Sequence, residues 1–100
     1  MKLLPVRIKP GAEQDIVQAV DYYNRKKENL GFEFVLEIDS VFDRVSRFPE
    51  IGPFVYKDFR QLLTRRFPFR IFYKTSKNHI DVYAVLHQSR EFRKLLQSPT

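Results

Sequence analysis

"FPFRIFYKTSKNHIDVYAVLH", Phe67 to His87, contains two apolar–polar alternations separated by Ser76, Lys77 and Asn78. In the first, Phe69, Ile71 and Tyr73 fall on one side and Arg70, Phe72 and Lys74 on the other. In the second, Ile80, Val82, Ala84 and Leu86 oppose Asp81, Tyr83, Val85 and His87. A period of two is the signature of a strand, because successive side chains point to opposite faces of a sheet. The short polar insert returns the chain as a tight hairpin, so the two strands are antiparallel. The wholly apolar Ile80–Leu86 side is expected to face the interior. His87 and Tyr83 are then expected on the opposite, open face, together with Arg70 and Lys74 of the neighbouring strand.

Just upstream, "FRQLLTRRF" (Phe59 to Phe67) supplies a third strand of the same meander. Before it the period changes to that of a helix. In "PGAEQDIVQAVDYYNRKK", Ala12, Ile16, Ala19, Val20 and Tyr23 recur on one helical face. Pro10 suits a first turn, Glu13 and Asp15 complement its positive end, and Arg25, Lys26 and Lys27 lie near the other end. "ENLG" interrupts, and a second helix is predicted from about Phe32 to Arg47 with a stripe of Phe34, Val35, Ile38, Val41, Phe42 and Val45. Pro49, Gly52 and Pro53 stop it. "LLPVRIK" opens the chain as a strand that Pro5 confines to a sheet edge or a strand start. The expected fold is α+β: a helical hairpin packed on a small, mainly antiparallel sheet, in the order β-α-α-β-β-β, with a short C-terminal helical tail.

One hundred residues with 43% apolar content describe one globular domain rather than a disordered chain. There is no cysteine, so disulfides and thiolate metal sites are excluded. The apolar run near the N-terminus is too short for a signal peptide, and no stretch is long enough to span a bilayer, so a soluble cytoplasmic protein is expected. Charge is unevenly placed. The first fifty residues carry 8 Lys/Arg against 9 Asp/Glu, and the last fifty carry 10 against 3. A half-chain with that excess attracts nucleic acid or an acidic protein partner, unless it serves only as a solvated surface.

Five short patterns, in order, then point to a family. They are A-x-x-D-I-x-x-A-x-x-Y-Y (Ala12 to Tyr23), L-G-x-x-F (Leu30 to Phe34) and F-P-E-I-G-P (Phe48 to Pro53). R-x-x-x-x-R-R-F-P-F-R-I-F-Y (Arg60 to Tyr73) and A-V-L-H-Q-S-R (Ala84 to Arg90) complete the set. Together they resemble the RelE/ParE superfamily, the toxins of type II toxin–antitoxin modules, often described as plasmid stabilisation proteins. The resemblance covers nearly the whole chain and implies one toxin domain over residues 1–100. It also implies inhibition of growth, neutralised by a cognate acidic antitoxin. ParE-like members bind DNA gyrase, whereas RelE-like members enter the ribosome and cut mRNA. The "VLHQSR" ending and the tyrosine pair resemble the ParE side. DNA is then met only indirectly, through the antitoxin complex, and no cofactor, metal or membrane partner is implied.

Metal-free RNA cleavage needs an acid, a base and cations around one phosphate. If this chain were a nuclease, Arg60, Arg65 and Arg90 would stabilise charge and His87, whose side-chain type titrates nearest neutrality, would move the proton. The tail "EFRKLLQSPT" has neither the Tyr nor the His that such nucleases carry near the C-terminus. Arg60, Arg65, Arg66, Arg70, His87, Arg90, Arg93 and Lys94 are the candidates for binding a target or the antitoxin. The bland alternatives stand beside these roles. His87 could pin the turn after the last strand through a ring nitrogen. The arginines could form a solvated face, Tyr22 and Tyr23 could simply pack helix against sheet, and His79 could be exposed and silent. Three functions therefore remain open: a gyrase-binding toxin, a ribosome-dependent ribonuclease, or a non-toxic nucleic-acid-binding domain. An acidic antitoxin arm is expected to cover some of Arg60, Arg65, Arg70 and Arg90.

Overall fold

The computed structural model describes residues 3–97. Its elements are β1 (Val6–Ile8), α1 (Pro10–Lys26), α2 (Leu30–Arg47), β2 (Phe54–Tyr56), β3 (Phe59–Leu63), β4 (Phe69–Thr75), β5 (Ile80–His87) and α3 (Arg93–Gln97). The last three residues of the tail expected to be helical lie outside the described residues. The sheet runs β1-β5-β4-β3-β2. From β2 to β5 the pairing is antiparallel, while β1 joins β5 in parallel at the edge where Pro5 allows it. Among the described residues no helix is long and apolar enough to cross a membrane.

Pro10 begins α1, with Glu13 in the first turn and Arg25 and Lys26 in the last. The second helix starts at Leu30, two residues before the expected Phe32, because Asn29 turns the chain in the left-handed conformation (φ 68°). Gly31 then lies hard against α1. A Cβ there would fall 2.7 Å from the Val20 carbonyl oxygen and from Asn24 Oδ1, which accepts the Gly31 N–H at 2.8 Å. The "LG" pair is thus a contact requirement between the two helices.

The apolar stripes of both helices meet one face of the sheet. Phe34, Ile38, Val41 and Val45 from α2 and Ala12 and Ala19 from α1 enclose Phe69, Ile71, Tyr73, Ile80, Val82 and Val85. The other face carries a second cluster, in which Phe92, just before α3, and Leu96 of α3 join Phe72, Ala84, Leu86 and Phe59.

One expectation about the last strand is overturned. Phe72 pairs with Ala84, but Tyr73 pairs with Val82, so Tyr83 is an extra residue, a β-bulge. A bulge advances the two-residue alternation by one. Ile80 and Val82 face the helices as expected, whereas Ala84 and Leu86 lie in the outer cluster and Val85 turns inward. His87, directly opposite Phe69, is therefore on the helix side of the sheet and not on the outer face with Tyr83.

The strand Phe54–Tyr56 adds an outer edge that the Pro- and Gly-rich composition before it concealed. The preceding loop is fastened to the sheet. The buried Tyr73 hydroxyl accepts the Gly52 N–H at 2.9 Å and donates to the Pro49 carbonyl at 3.0 Å. A Cβ on Gly52 would lie 2.4 Å from the Gln61 carbonyl oxygen, so only glycine fits this approach.

Candidate functional site

The charged residues marked out by the sequence fall into separate places. Arg60 pairs with Tyr73 across the ladder and reaches back to the loop, donating Nη1 to the carbonyls of Gly52 (2.7 Å) and Glu50 (3.2 Å) while its guanidinium lies 3.9 Å from the Phe54 ring centroid. Arg65 and Arg66 belong to the β3–β4 connection beside α2. The Arg65 N–H donates to Glu37 Oε2 at 2.6 Å, and the Arg66 guanidinium pairs with Glu33. Thr64, buried, ties the same connection through its hydroxyl to the backbone of Phe67 and Phe69. None of these three arginines lines the depressions that hold His87.

The remainder gather around the turn after β5. His87 Nδ1 accepts the Ser89 N–H at 3.1 Å and lies 2.9 Å from Ser89 Oγ, so the ring holds the turn as one of the bland alternatives anticipated. Arg90 follows, its N–H donated to the His87 carbonyl at 3.0 Å. On the other side of the same turn, Arg70 donates Nη2 to the Gln88 carbonyl at 2.7 Å. Arg70 and Arg93 both place a guanidinium by the Phe92 ring, at 5.4 and 5.1 Å from its centroid. Lys94 is exposed on α3 close by in the chain. His87, Arg90, Arg70, Arg93 and Lys94 thus form a basic end of the sheet, built from both faces, with Glu91 as its counter-charge at 3.8 Å from Arg93.

On the helix side this end opens into a cleft against α1. Two adjoining depressions of about 190 and 340 Å³ share Ala19, Phe69 and His87. Asp15, Gln18 and Arg90 close one, and Tyr22, Tyr23 and Pro68 wall the other. Tyr23 is packed among Phe34, Phe67 and Phe69, while Tyr22 stands edge-on to it and is 55% exposed. The tyrosine pair therefore divides its work, one ring in the core and one at the rim.

Asp15 joins the cleft to the fold. Beyond Val82 no residue of β1 pairs with β5, and the Val85 N–H donates at 2.9 Å to Asp15 Oδ2 from α1. Burial pushes the Asp15 carboxyl above the usual carboxylate range, opposed by that hydrogen bond and by the charge of Arg90. Nothing in the spacing of the sequence marked this contact, which spans 70 residues.

His79 is another departure from expectation. It is half-buried, with Nδ1 3.0 Å from Ser76 Oγ and Nε2 3.1 Å from Asp81 Oδ2, and so fastens the hairpin it adjoins. Among the described residues no group of three or more His, Asp or Glu side chains could hold a metal ion.

The family model described as ParE toxin of type II toxin–antitoxin system, parDE, matches residues 6–92. A protein named toxin ParE2, from two strains of Mycobacterium tuberculosis, is 28% identical over 83 residues, which span 82% of this chain and 79% of that protein. Among solved structures, a chain of a chromosomal ParDE system from P. aeruginosa superposes with a TM-score of 0.75 at 16% identity, covering 85% of this chain and 96% of that one. A chain of the toxin–antitoxin complex RelBE2 from Mycobacterium tuberculosis gives 0.58 at 21% identity, covering 90% and 97%. At these identities the two structures speak for the fold.

Proposed function

We propose that this chain, which belongs to the ParE toxin family of type II toxin–antitoxin systems, arrests growth by binding DNA gyrase through the basic end around His87–Phe92. It is the toxin component of a ParE/RelE-like module, and its partner is a cognate antitoxin. The proposal takes residues 1–100 as one such domain acting in the cytoplasm. His87, Arg90, Arg70, Arg93 and Lys94 make the contact, while Arg60, Arg65 and Arg66 hold loops in place.

One observation supports binding over chemistry: the Arg60 guanidinium and one ring nitrogen of His87, two of the four nuclease candidates, are engaged with the backbone. His87 Nδ1 takes the Ser89 N–H, Arg70 takes the Gln88 carbonyl and Arg60 takes two loop carbonyls. A ribonuclease site instead aims such groups at one reacting phosphate. His87 and Arg90 do share a cleft, and they are the pair a metal-free ribonuclease would use, so mRNA cleavage is the competing outcome.

Purified protein separates the two. Inhibition of gyrase supercoiling, lost in graded steps in His87→Ala and Arg90→Ala, is expected. Cleavage of ribosome-bound mRNA that falls by orders of magnitude in His87→Ala, with supercoiling untouched, would overturn the proposal.

A further inference from the structure

We propose that the outer sheet face around Tyr56, Phe59 and Tyr83 docks an acidic segment of the antitoxin, gripped by Lys9, Lys57 and Lys74. Three distant parts of the chain meet there: the residue before α1, the β2–β3 turn and β4. The floor is aromatic. Phe59 stands edge-on to Tyr83 at 5.1 Å between centroids and stacks with Tyr56 at 6.4 Å. Over it, the Lys74 ammonium lies 4.5 Å from the Phe59 centroid and 5.2 Å from that of Tyr83. Lys9 is 5.4 Å from Tyr83 and Lys57 is 5.3 Å from Tyr56.

An ammonium held over a ring face has already lost part of the freedom it would surrender to a carboxylate, so the row is organised in advance for anions. Two carboxylates share the surface. Asp81 is bonded to His79 and lies opposite Arg7 and Lys74 in the ladders. Asp58 pairs with Lys74 at 3.5 Å but is well exposed, and such a pair contributes little and exchanges readily. With Arg7, Lys9, Lys57 and Lys74 against Asp58 and Asp81, the surface keeps a positive excess.

The ligand chemistry follows from what the rings offer. Single-stranded nucleic acid gains affinity by stacking bases on open aromatic faces. Here Phe59 is only 4% exposed, and the ammonium groups sit over the rings. Carboxylates can reach the cations without displacing anything from the floor. An acidic arm that orders as it binds suits this geometry.

This docking rests on the toxin reading above, so the experiment separates the two. A glutamate-rich amphipathic peptide is titrated into the isotope-labelled protein and followed by amide NMR. It is expected to shift Lys9, Lys57, Lys74 and Tyr83, leaving Arg60 and Arg65 still. The variant Lys9→Gln/Lys57→Gln/Lys74→Gln, its remaining spectrum unchanged, should bind about tenfold more weakly. Shifts centred on His87–Phe92, or a variant that binds as tightly, would overturn the docking surface. Tighter binding at this face by an oligouridylate of equal charge would overturn it in favour of nucleic acid. Expression in cells tests the premise separately: arrest by the wild-type chain leaves the toxin reading intact whatever the peptide does, whereas absence of arrest removes that reading and the antitoxin docking together.

Discussion

The two faces of the sheet are built to different standards. On the helix side, thirteen buried residues among those described, from both long helices, β4, β5 and the β3–β4 connection, interlock around Phe34 and Tyr73, with polar fastenings such as Tyr73 to Gly52. On the outer side, the cluster has six buried residues among those described, of which the C-terminal segment supplies two, Phe92 just before α3 and Leu96 within it. A helix as short as α3 has no stability of its own, so its order depends on packing against the sheet. The first face fixes the fold, and the second supplies a surface whose margins stay accessible: the basic end beyond α3 and the lysine row beside it.

The sharpest way to break this contrast is Phe34→Ala. Phe34 is fully buried and touches the rings of Tyr23, Phe67 and Phe69, so its loss should destabilise the protein by about 3–5 kcal/mol in urea denaturation, enough to unfold a marginal domain. Phe92→Ala should do less, about 1.5–3 kcal/mol, because part of what it covers can close or hydrate. Hydrogen exchange should then show α3 losing protection while β4 and β5 keep most of theirs. Equal losses from the two substitutions would mean that the outer cluster is as integral as the inner core.

The smallest effect sharpens the seam between α1 and β5. Burial raises the Asp15 carboxyl above its ordinary value, so the folded chain binds that proton more tightly than the unfolded one. The stability this group contributes is therefore complete below the unfolded pKa, near 3.8, and is lost as pH rises through the folded value. Asp15→Asn keeps an oxygen for the Val85 N–H and does not titrate. Urea melts at a pH below 3.8 and near neutrality should show the wild type losing ground to the variant as pH rises, by a few tenths of a kcal/mol or more. A difference that moves the other way would show that Arg90 and the Val85 N–H outweigh burial.

Much of the fold was legible because it is written in local period. The stripes of α1 and α2 (Val35 apart, which does not join the core), Pro10 at a first turn, the Ser76–Asn78 hairpin and the Phe69–Ile71–Tyr73 side hold in three dimensions. The candidate site was legible only in part. His87 as the pin of its own turn was anticipated, since Ser89 lies two residues away. That Arg60 serves the 49–52 loop was not, because its partners are carbonyls, which any sequence provides. Lys9 and Lys57 were passed over, since nothing in their own neighbourhoods connects them to Tyr83 or Tyr56 until the strands are paired.

From the order of residues alone come the helices, the meander, the edge position of β1 and the basic second half, since each depends on side chains within a few positions of one another. Which way His87 points was decided by the assembled sheet. The bulge at Tyr83 arises from the match between β4 and β5, with an α1 carboxylate meeting the Val85 N–H beyond it, and a single added residue reverses the facing of every side chain that follows.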